Sequence, residues 1–324
     1  LYHGILNTRS NQTLALACLA TLLCLGVPQR AIGQAVSEQQ ATAASEPLTN
    51  LQAFGKVEQI ASGFQFVEGP TWSRDGSLYF TDIPAESIMR LTSAGNVELF
   101  LKPSGFANGL LFAGEQRLLA CQMDGQLVAI DIHSKQVKPL ATEYQGERFN
   151  ACNDLALDQV GGIYFTDPRY RAPEPWPQGK EAFYYRDAAG KITRLGDDLQ
   201  APNGIGLSPD GKTLYVIPSM ASEMMSYEVL SPGKLGNAHV FCRLKQLEDQ
   251  TNGGGDGMAV DSQGNIYITS AAGVQVFGPH GDAIGIIECP EHPANCAFGG
   301  PDRKTLFITA RTGLYQCQCP VTGN

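Results

Sequence analysis

Several things are scarce in this 324-residue chain, and each scarcity removes a class of function. Only 17% of residues are charged, and the balance is acidic: 23 Lys and Arg against 32 Asp and Glu, a net charge of −9. Without a basic face the chain has no means of gripping a polyanion, which excludes nucleic acid and anionic membrane surfaces as natural partners. There are five His, none in a ligand-like cluster, and no C-x-x-C, so a zinc knuckle or a redox pair is excluded. Neither G-x-S-x-G, G-x-x-x-x-G-K-[ST] nor H-E-x-x-H occurs, so a serine-hydrolase elbow, a nucleotide cradle and a zincin helix have no support.

No apolar run is long enough to span a bilayer comfortably; the one clear run, Thr13 to Pro28, follows Arg9 and leads to small residues around Gly33-Gln34-Ala35. That order of basic, apolar and small residues reads as a secretory signal over residues 1–35, with an exported, periplasmic or secreted product and no membrane span in the mature chain; the alternative is an uncleaved membrane anchor. Residues 36–52 are small and polar and read as a flexible leader, which places the folded domain at 53–324. Two of the nine Cys, Cys18 and Cys24, fall in the signal. Seven remain, an odd number, so at least one is free or intermolecular; most read as small core hydrophobes, and the spacing allows one disulfide, Cys289–Cys296.

Turn formers are plentiful, 36 Gly and 19 Pro without a triplet period, and 43% of residues are hydrophobic. Many short strands around a large core follow. Self-similarity then fixes the class. A polar residue, a short apolar strand, a turn and a second strand recur six times: from Glu68 (EGPTWS-RDG-SLYFTD), Asn108 (NGLLFA-GEQ-RLLACQ), Asn153 (NDLALD-QVG-GIYFTD), Asn203 (NGIGLS-PDGK-TLYVIP), Asp256 (DGMAVD-SQG-NIYITS) and Asn295 (NCAFGG-PDRK-TLFITA). The leading residues lie 40, 45, 50, 53 and 39 positions apart. Each copy has room for two further strands, so the chain is predicted all-β: a six-bladed β-propeller with four antiparallel strands per blade. The last copy is one strand short. The missing strand is available at Lys56–Ala61, which would close the ring and remove both sheet edges. The third copy carries the longest insertion, Arg169 to Glu181, which is either a cover over a binding mouth or a passive surface loop.

Innermost strands line a propeller's channel, so the six leading residues are predicted to converge at one end of it. Two carboxylates among carboxamides make an oxygen-only donor set, which suits one divalent cation: Ca²⁺ first, then Mg²⁺ or Mn²⁺, with Zn²⁺ last. The alternative is that each Asn before Gly or Asp serves only a turn. Asp256 and Asp261 lie five apart on one inner strand, an odd separation that points their side chains to opposite faces. Asp256 then heads the channel and Asp261 enters the Ser262-Gln263-Gly264 turn. The repeated Thr81-Asp82 and Thr166-Asp167 pairs read as structural, bonding nearby backbone. Arg148 and Asn150, just ahead of the Asn153 copy, either reach a substrate hydroxyl or decorate the rim.

The motifs FVEGPTW (66–72), RFNACNDLALD (148–158), YFTDPRY (164–170), PNGIGLSPDGKTLYV (202–216) and GDGMAVDSQGNIYI (255–268) together resemble the SMP-30/gluconolactonase/LRE-like family of six-bladed propellers. The resemblance implies one divalent metal held by Glu68, Asn153, Asn203 and Asp256, with Asn108 and Asn295 either supporting those ligands or contacting substrate. It implies a metal-dependent hydrolase of a small-molecule sugar lactone, with Asp256 activating water. A phosphotriesterase-like reaction at the same site, and a non-enzymatic propeller that binds a protein or glycan, are the alternatives. Two departures from the family pattern lie near the mouth: Cys152 precedes the Asn-Asp pair in place of Pro, and Arg-Tyr-Arg follows Asp167-Pro168 in place of Pro-Tyr-Gly. The oligomeric state leaves no mark in the sequence.

Overall fold

The structure, a computed structural model, describes residues 47–249 and 253–324. The predicted signal, residues 1–35, lies outside the described residues. Every regular element among the described residues is a strand. No helix there is long and apolar enough to cross a membrane.

Six four-stranded antiparallel sheets form six blades. Their inner strands are Val67–Trp72, Ala107–Phe112, Leu155–Leu157, Pro202–Leu207, Gly255–Val260 and Pro293–Gly299. These six contact one another in sequence order, and the last returns to the first, so they ring a central channel. The sixth sheet is completed from the other end of the chain: Glu58–Ser62 pairs antiparallel with Gly313–Gln318, Glu58 opposite Gln316 and Ser62 opposite Gly313. The predicted closing strand is therefore present, shifted by two residues at its start. The leader reading fails for its last residues. Leu48 and Leu51 pack against the hydrophobic cluster of the fifth and sixth blades, and the Leu48 amide donates to Gln263 Oε1 (3.3 Å).

The core lies between blades, not within a single centre. A second strand such as Leu78–Asp82 or Ile163–Asp167 is covered on both faces by neighbouring blades, so all its residues are buried and the period-2 alternation disappears. One interblade cluster joins Leu119, Cys121 and Leu127 of blade 2 to Leu155, Ile163, Phe165 and Tyr184 of blade 3. Truncating a residue such as Phe165 to Ala at this seam would cost ~3–5 kcal/mol. The Thr-Asp pairs at second-strand ends are structural, as predicted. Thr81 Oγ1 donates to the Asn108 carbonyl (3.1 Å) and Thr166 Oγ1 to the Asn203 carbonyl (2.8 Å), each a bond into the next blade. Asp82 accepts from the Gln65 and Phe66 amides, and Asp167 from the Asn150 and Ala151 amides.

The Cys289–Cys296 disulfide is not formed. All seven Cys of the described residues are free thiols; Cys289 Sγ faces the Ile287 carbonyl and Cys296 Sγ the Tyr267 carbonyl. Six of the seven are buried, consistent with their reading as core residues.

Candidate active site at the channel mouth

Inner strands do not run regularly through their leading residues. In blades 1, 2, 4, 5 and 6 the pairing register shifts there, between Glu68 and Thr71, Ala107 and Leu110, Pro202 and Ile205, Gly255 and Met258, and Pro293 and Asn295. Such bulges turn a side chain out of the pleat. In blade 3 the paired strand begins only at Leu155, after Asn153 and Asp154. The glycine following a leading residue has a packing reason. A Cβ on Gly69, whose φ is +46°, would lie 2.0 Å from the Asn108 carbonyl oxygen, and one on Gly257 would lie 2.1 Å from Asn295 Cγ. These Asn-Gly, Glu-Gly and Asp-Gly steps thus let adjacent inner strands close on each other, and the simple turn reading does not apply. The bulge also undoes the parity argument for Asp256 and Asp261: an extra residue sits between them. Asp261 nonetheless occupies the predicted turn, fully buried, accepting from Gln263 N, Asn265 N, Asn265 Nδ2 and Tyr267 OH.

Glu68, Asn108, Asn153, Asn203 and Asp256 line one cavity of about 480 Å³ at the channel mouth. Its walls are apolar at Phe66, Ile83, Pro84 and Met123, and its rim carries Tyr170, Arg171, Ser219 and His292. Apolar walls with a few converging polar groups are the usual make-up of a small-molecule site. Tyr170 and Arg171 come from the 169–181 insertion, which therefore forms part of the mouth. Asn203 Nδ2 donates to Asp256 Oδ1 (2.6 Å) and lies 3.3 Å from the Tyr170 hydroxyl.

Three other predicted contacts lie elsewhere. Asn295 lines a second cavity, about 380 Å³, at the opposite end of the channel together with Asp154. Its Oδ1 accepts from the Cys296 amide, and its amide hydrogens serve Glu68 and Asp154. Asn150 is fully buried and spent on scaffold: Nδ2 donates to the Asp167 and Lys180 carbonyls, and Oδ1 accepts from Gln178 N. Arg148 turns back onto the Phe149 and Asn150 carbonyls (3.0 and 3.1 Å). Both tie down the insertion and neither lines the mouth cavity.

The electrostatics of the mouth are unusual for a protein interior. Burial pushes Glu68 well above the ordinary carboxylate range, and the neighbouring charges of Asp256 and Asp154 push the same way. Burial likewise lifts Asp256 to about 7, against the opposing bond from Asn203. Asp154 is also raised to about 7 by burial, with the Leu155 amide and Asn295 opposing. None of the three forms an ion pair with Lys, Arg or His among the described residues. Two carboxylates that share a cavity wall without an ion-pair partner, with only the more distant charge of Arg311 acting on Asp256, are costly unless protonated or joined by a cation. The nearby donors are carboxylate and carboxamide oxygens, so the residues fit a hard divalent ion. Among the described residues no three His, Cys, Asp or Glu side chains cluster as metal ligands; the predicted set has two carboxylates and two carboxamides.

Residues 66–312 match the SMP-30/Gluconolactonase/LRE-like region. The chain belongs to this family. It is 32% identical over 293 residues to a gluconolactonase of Zymomonas mobilis, covering 82% of each protein. It is 27% identical over 283 residues to the diisopropyl-fluorophosphatase of Loligo vulgaris, covering 79% of this chain and 88% of that one. Among solved structures, a gluconolactonase from Xanthomonas campestris superposes with a TM-score of 0.75 at 28% identity, over 82% of this chain and 90% of the other.

The sequence reading missed Asp154, Tyr170, Arg171 and His292. Asp154 was legible as the acid of the Asn-Asp pair, in the slot where four other copies have Gly. Tyr170 stood inside the matching motif YFTDPRY without being assigned a role, Arg171 was visible only as a departure from the family pattern, and nothing in the sequence placed His292 at the rim.

Proposed function

We propose that the chain is a divalent-cation-dependent hydrolase of a sugar lactone. The observation that carries this reading is the pairing of buried Glu68 with partly buried Asp256, neither in an ion pair with a basic side chain among the described residues, beside Asn153 and Asn203 in one open cavity. Lactonase relatives support the substrate class. Glu68, Asn153, Asn203 and Asp256 would hold the cation, Ca²⁺ first. Bound there, a cation supplies polarisation of the ester carbonyl and offsets charge developing on its oxygen.

The chain's own groups do the rest. Asn203 fixes the Asp256 carboxylate through Oδ1, which leaves Oδ2 to take the proton of the attacking water. Tyr170 OH, beside Asn203, is positioned to orient a ring hydroxyl of the substrate. Asn108 contacts the substrate from the adjoining wall. The Phe66, Ile83 and Met123 side of the cavity excludes bulk water from the face opposite the carboxylates. The run Thr13 to Pro28 supports export as part of the proposal, testable by cell fractionation.

The deciding experiment is a pH-indicator hydrolysis assay on chelated protein, over a lactone panel, with Ca²⁺, Mg²⁺, Mn²⁺ or Zn²⁺ restored one at a time. Turnover lost on chelation and regained with one cation is expected. A phosphotriester and a dialkyl fluorophosphate included in the panel address the phosphotriesterase-like alternative and the chemistry named for the Loligo vulgaris relative. If no cation restores turnover on any of these substrates, the hydrolase reading falls and the non-enzymatic binding propeller takes its place.

A further inference from the structure

The floor of the mouth cavity is anionic, but its rim is not. Arg171 lines the rim from the insertion, its guanidinium 3.5 Å from the centroid of the Phe106 ring. Arg311, from the turn between the last two strands of the sixth blade, lies over Phe66 at 5.4 Å. Phe66 and Phe106 pack against the same small cluster of Ile83, Met123 and Ala151. The two guanidiniums, contributed by blades 3 and 6, therefore sit over one apolar patch beside blades 1 and 2. Arg311 also reaches the rim residue His292, Nη2 to Nδ1 3.4 Å, and stands close enough for its charge to act on Asp256.

Neither arginine is paired with a carboxylate among the described residues, although the chain has nine more acidic than basic groups. Arg169, two residues from Arg171 on the same insertion, shows the ordinary arrangement: it stacks on Trp176 and its Nε lies 3.7 Å from Glu181. Ring stacking holds Arg171 and Arg311 in place without a carboxylate partner; Arg311 spends one Nη2 contact on His292 and keeps its other donors, which is the state of an arginine ready for an oxyanion. The floor carboxylates would repel a negative group, so such a group has to sit at the rim, at the end of the substrate far from the ester carbonyl.

We propose that Arg171 and Arg311 form a specificity clamp for a lactone whose end remote from the ring ester carries an anionic group, such as a carboxylate, sulfonate or phosphate. This deepens the lactonase reading and rests on it. Hydrolysis is unchanged in its balance: water adds at the ester carbonyl, the ring C–O bond breaks, and the clamp touches neither.

The test uses two probes that differ at one end only, D-glucaro-1,4-lactone and D-glucono-1,4-lactone, on the full chain with its cation at low salt. A charge-assisted contact of this kind is expected to give at least about a tenfold preference in kcat/KM for the glucarolactone, carried by KM. The preference should shrink in 0.5 M NaCl and fall to about unity in the Arg171→Gln, Arg311→Gln double variant. Arg169→Gln, which removes the same charge outside the clamp, should keep it. Turnover of both lactones with no preference, or an equal loss in Arg169→Gln, overturns the clamp and leaves the lactonase reading intact. If neither lactone turns over, the lactonase reading is what has failed. The clamp is then judged by thermal shift with glucarate against gluconate: a rise with glucarate that the double variant abolishes supports it, and no difference overturns it.

Discussion

The channel has two ends, and both are acidic. At the mouth, Glu68 and Asp256 share a cavity open to solvent, and Asp256 is anchored by a carboxamide through one oxygen. At the base, Asp154 is bonded by its neighbour's amide and by Asn295, while Asp261 is enclosed by four donors within its turn. The types of residue are alike; what differs is whether the bonding is finished. Asp261 has its hydrogen-bond capacity filled by the fold and supports a turn. Glu68 and Asp256 have theirs left partly open and are available to a ligand.

Four measurements would break or sharpen that contrast, beginning with the largest effect. Asp256→Asn should lower kcat by at least about a hundredfold at saturating cation with little change in Tm, the usual scale for losing a general base. An active variant would remove Asp256 from that role. Next, Glu68→Gln keeps the shape and deletes a charged ligand, so cation affinity by titration calorimetry should drop by at least about tenfold. Asn108→Ala should leave affinity nearly intact and raise KM; equal loss in both would mean the ligand set is misassigned.

Asp261→Asn should do the reverse of Asp256→Asn, keeping kcat and costing about 1–3 kcal/mol in urea unfolding, because it weakens bonds to a buried charged acceptor. Loss of turnover without loss of stability would contradict the division between the two ends. The last measurement concerns pH. Asp154 and Asp256 titrate near 7 when folded, against ~3.9 for an unfolded Asp, so between those values the folded chain holds more protons than the unfolded one. The cation-free protein should therefore gain stability as pH falls from about 7 towards 4, followed as Tm in chelator. Saturating cation should cancel the mouth's share and leave that of Asp154. A Tm that rises with pH in chelator would refute the assignment.

The blade pattern was readable because the repeat places the same residue types every 39 to 53 positions, each copy with the alternation and turns of paired strands. The predicted convergence held for five of the six leading residues and failed for Asn295. A local register shift decides which way each of these side chains turns, and that shift depends on how closely neighbouring inner strands approach. The same limit defeated the odd-separation argument for Asp256 and Asp261. Asn150 and Arg148 looked like rim residues because they stand next to a site motif. Their true partners include Lys180 and Gln178, about thirty residues on, which local sequence cannot reveal. Arg171, from the insertion of blade 3, and Arg311, from a turn of blade 6, are far apart in the sequence, and only the closed ring brings them over one patch.

Closure by the strand Glu58–Ser62 also fixes an order of events. This strand is made before its partner, Gly313–Gln318. At ~5–20 residues per second, the roughly 250 residues between them take tens of seconds to synthesise. Throughout that interval blade 1 lacks the blade 6 surface it packs against, and the early strand has only wrong edges to pair with. Anything that keeps this segment apart from the growing chain, such as a chaperone that binds it, would act on the yield of closed rings.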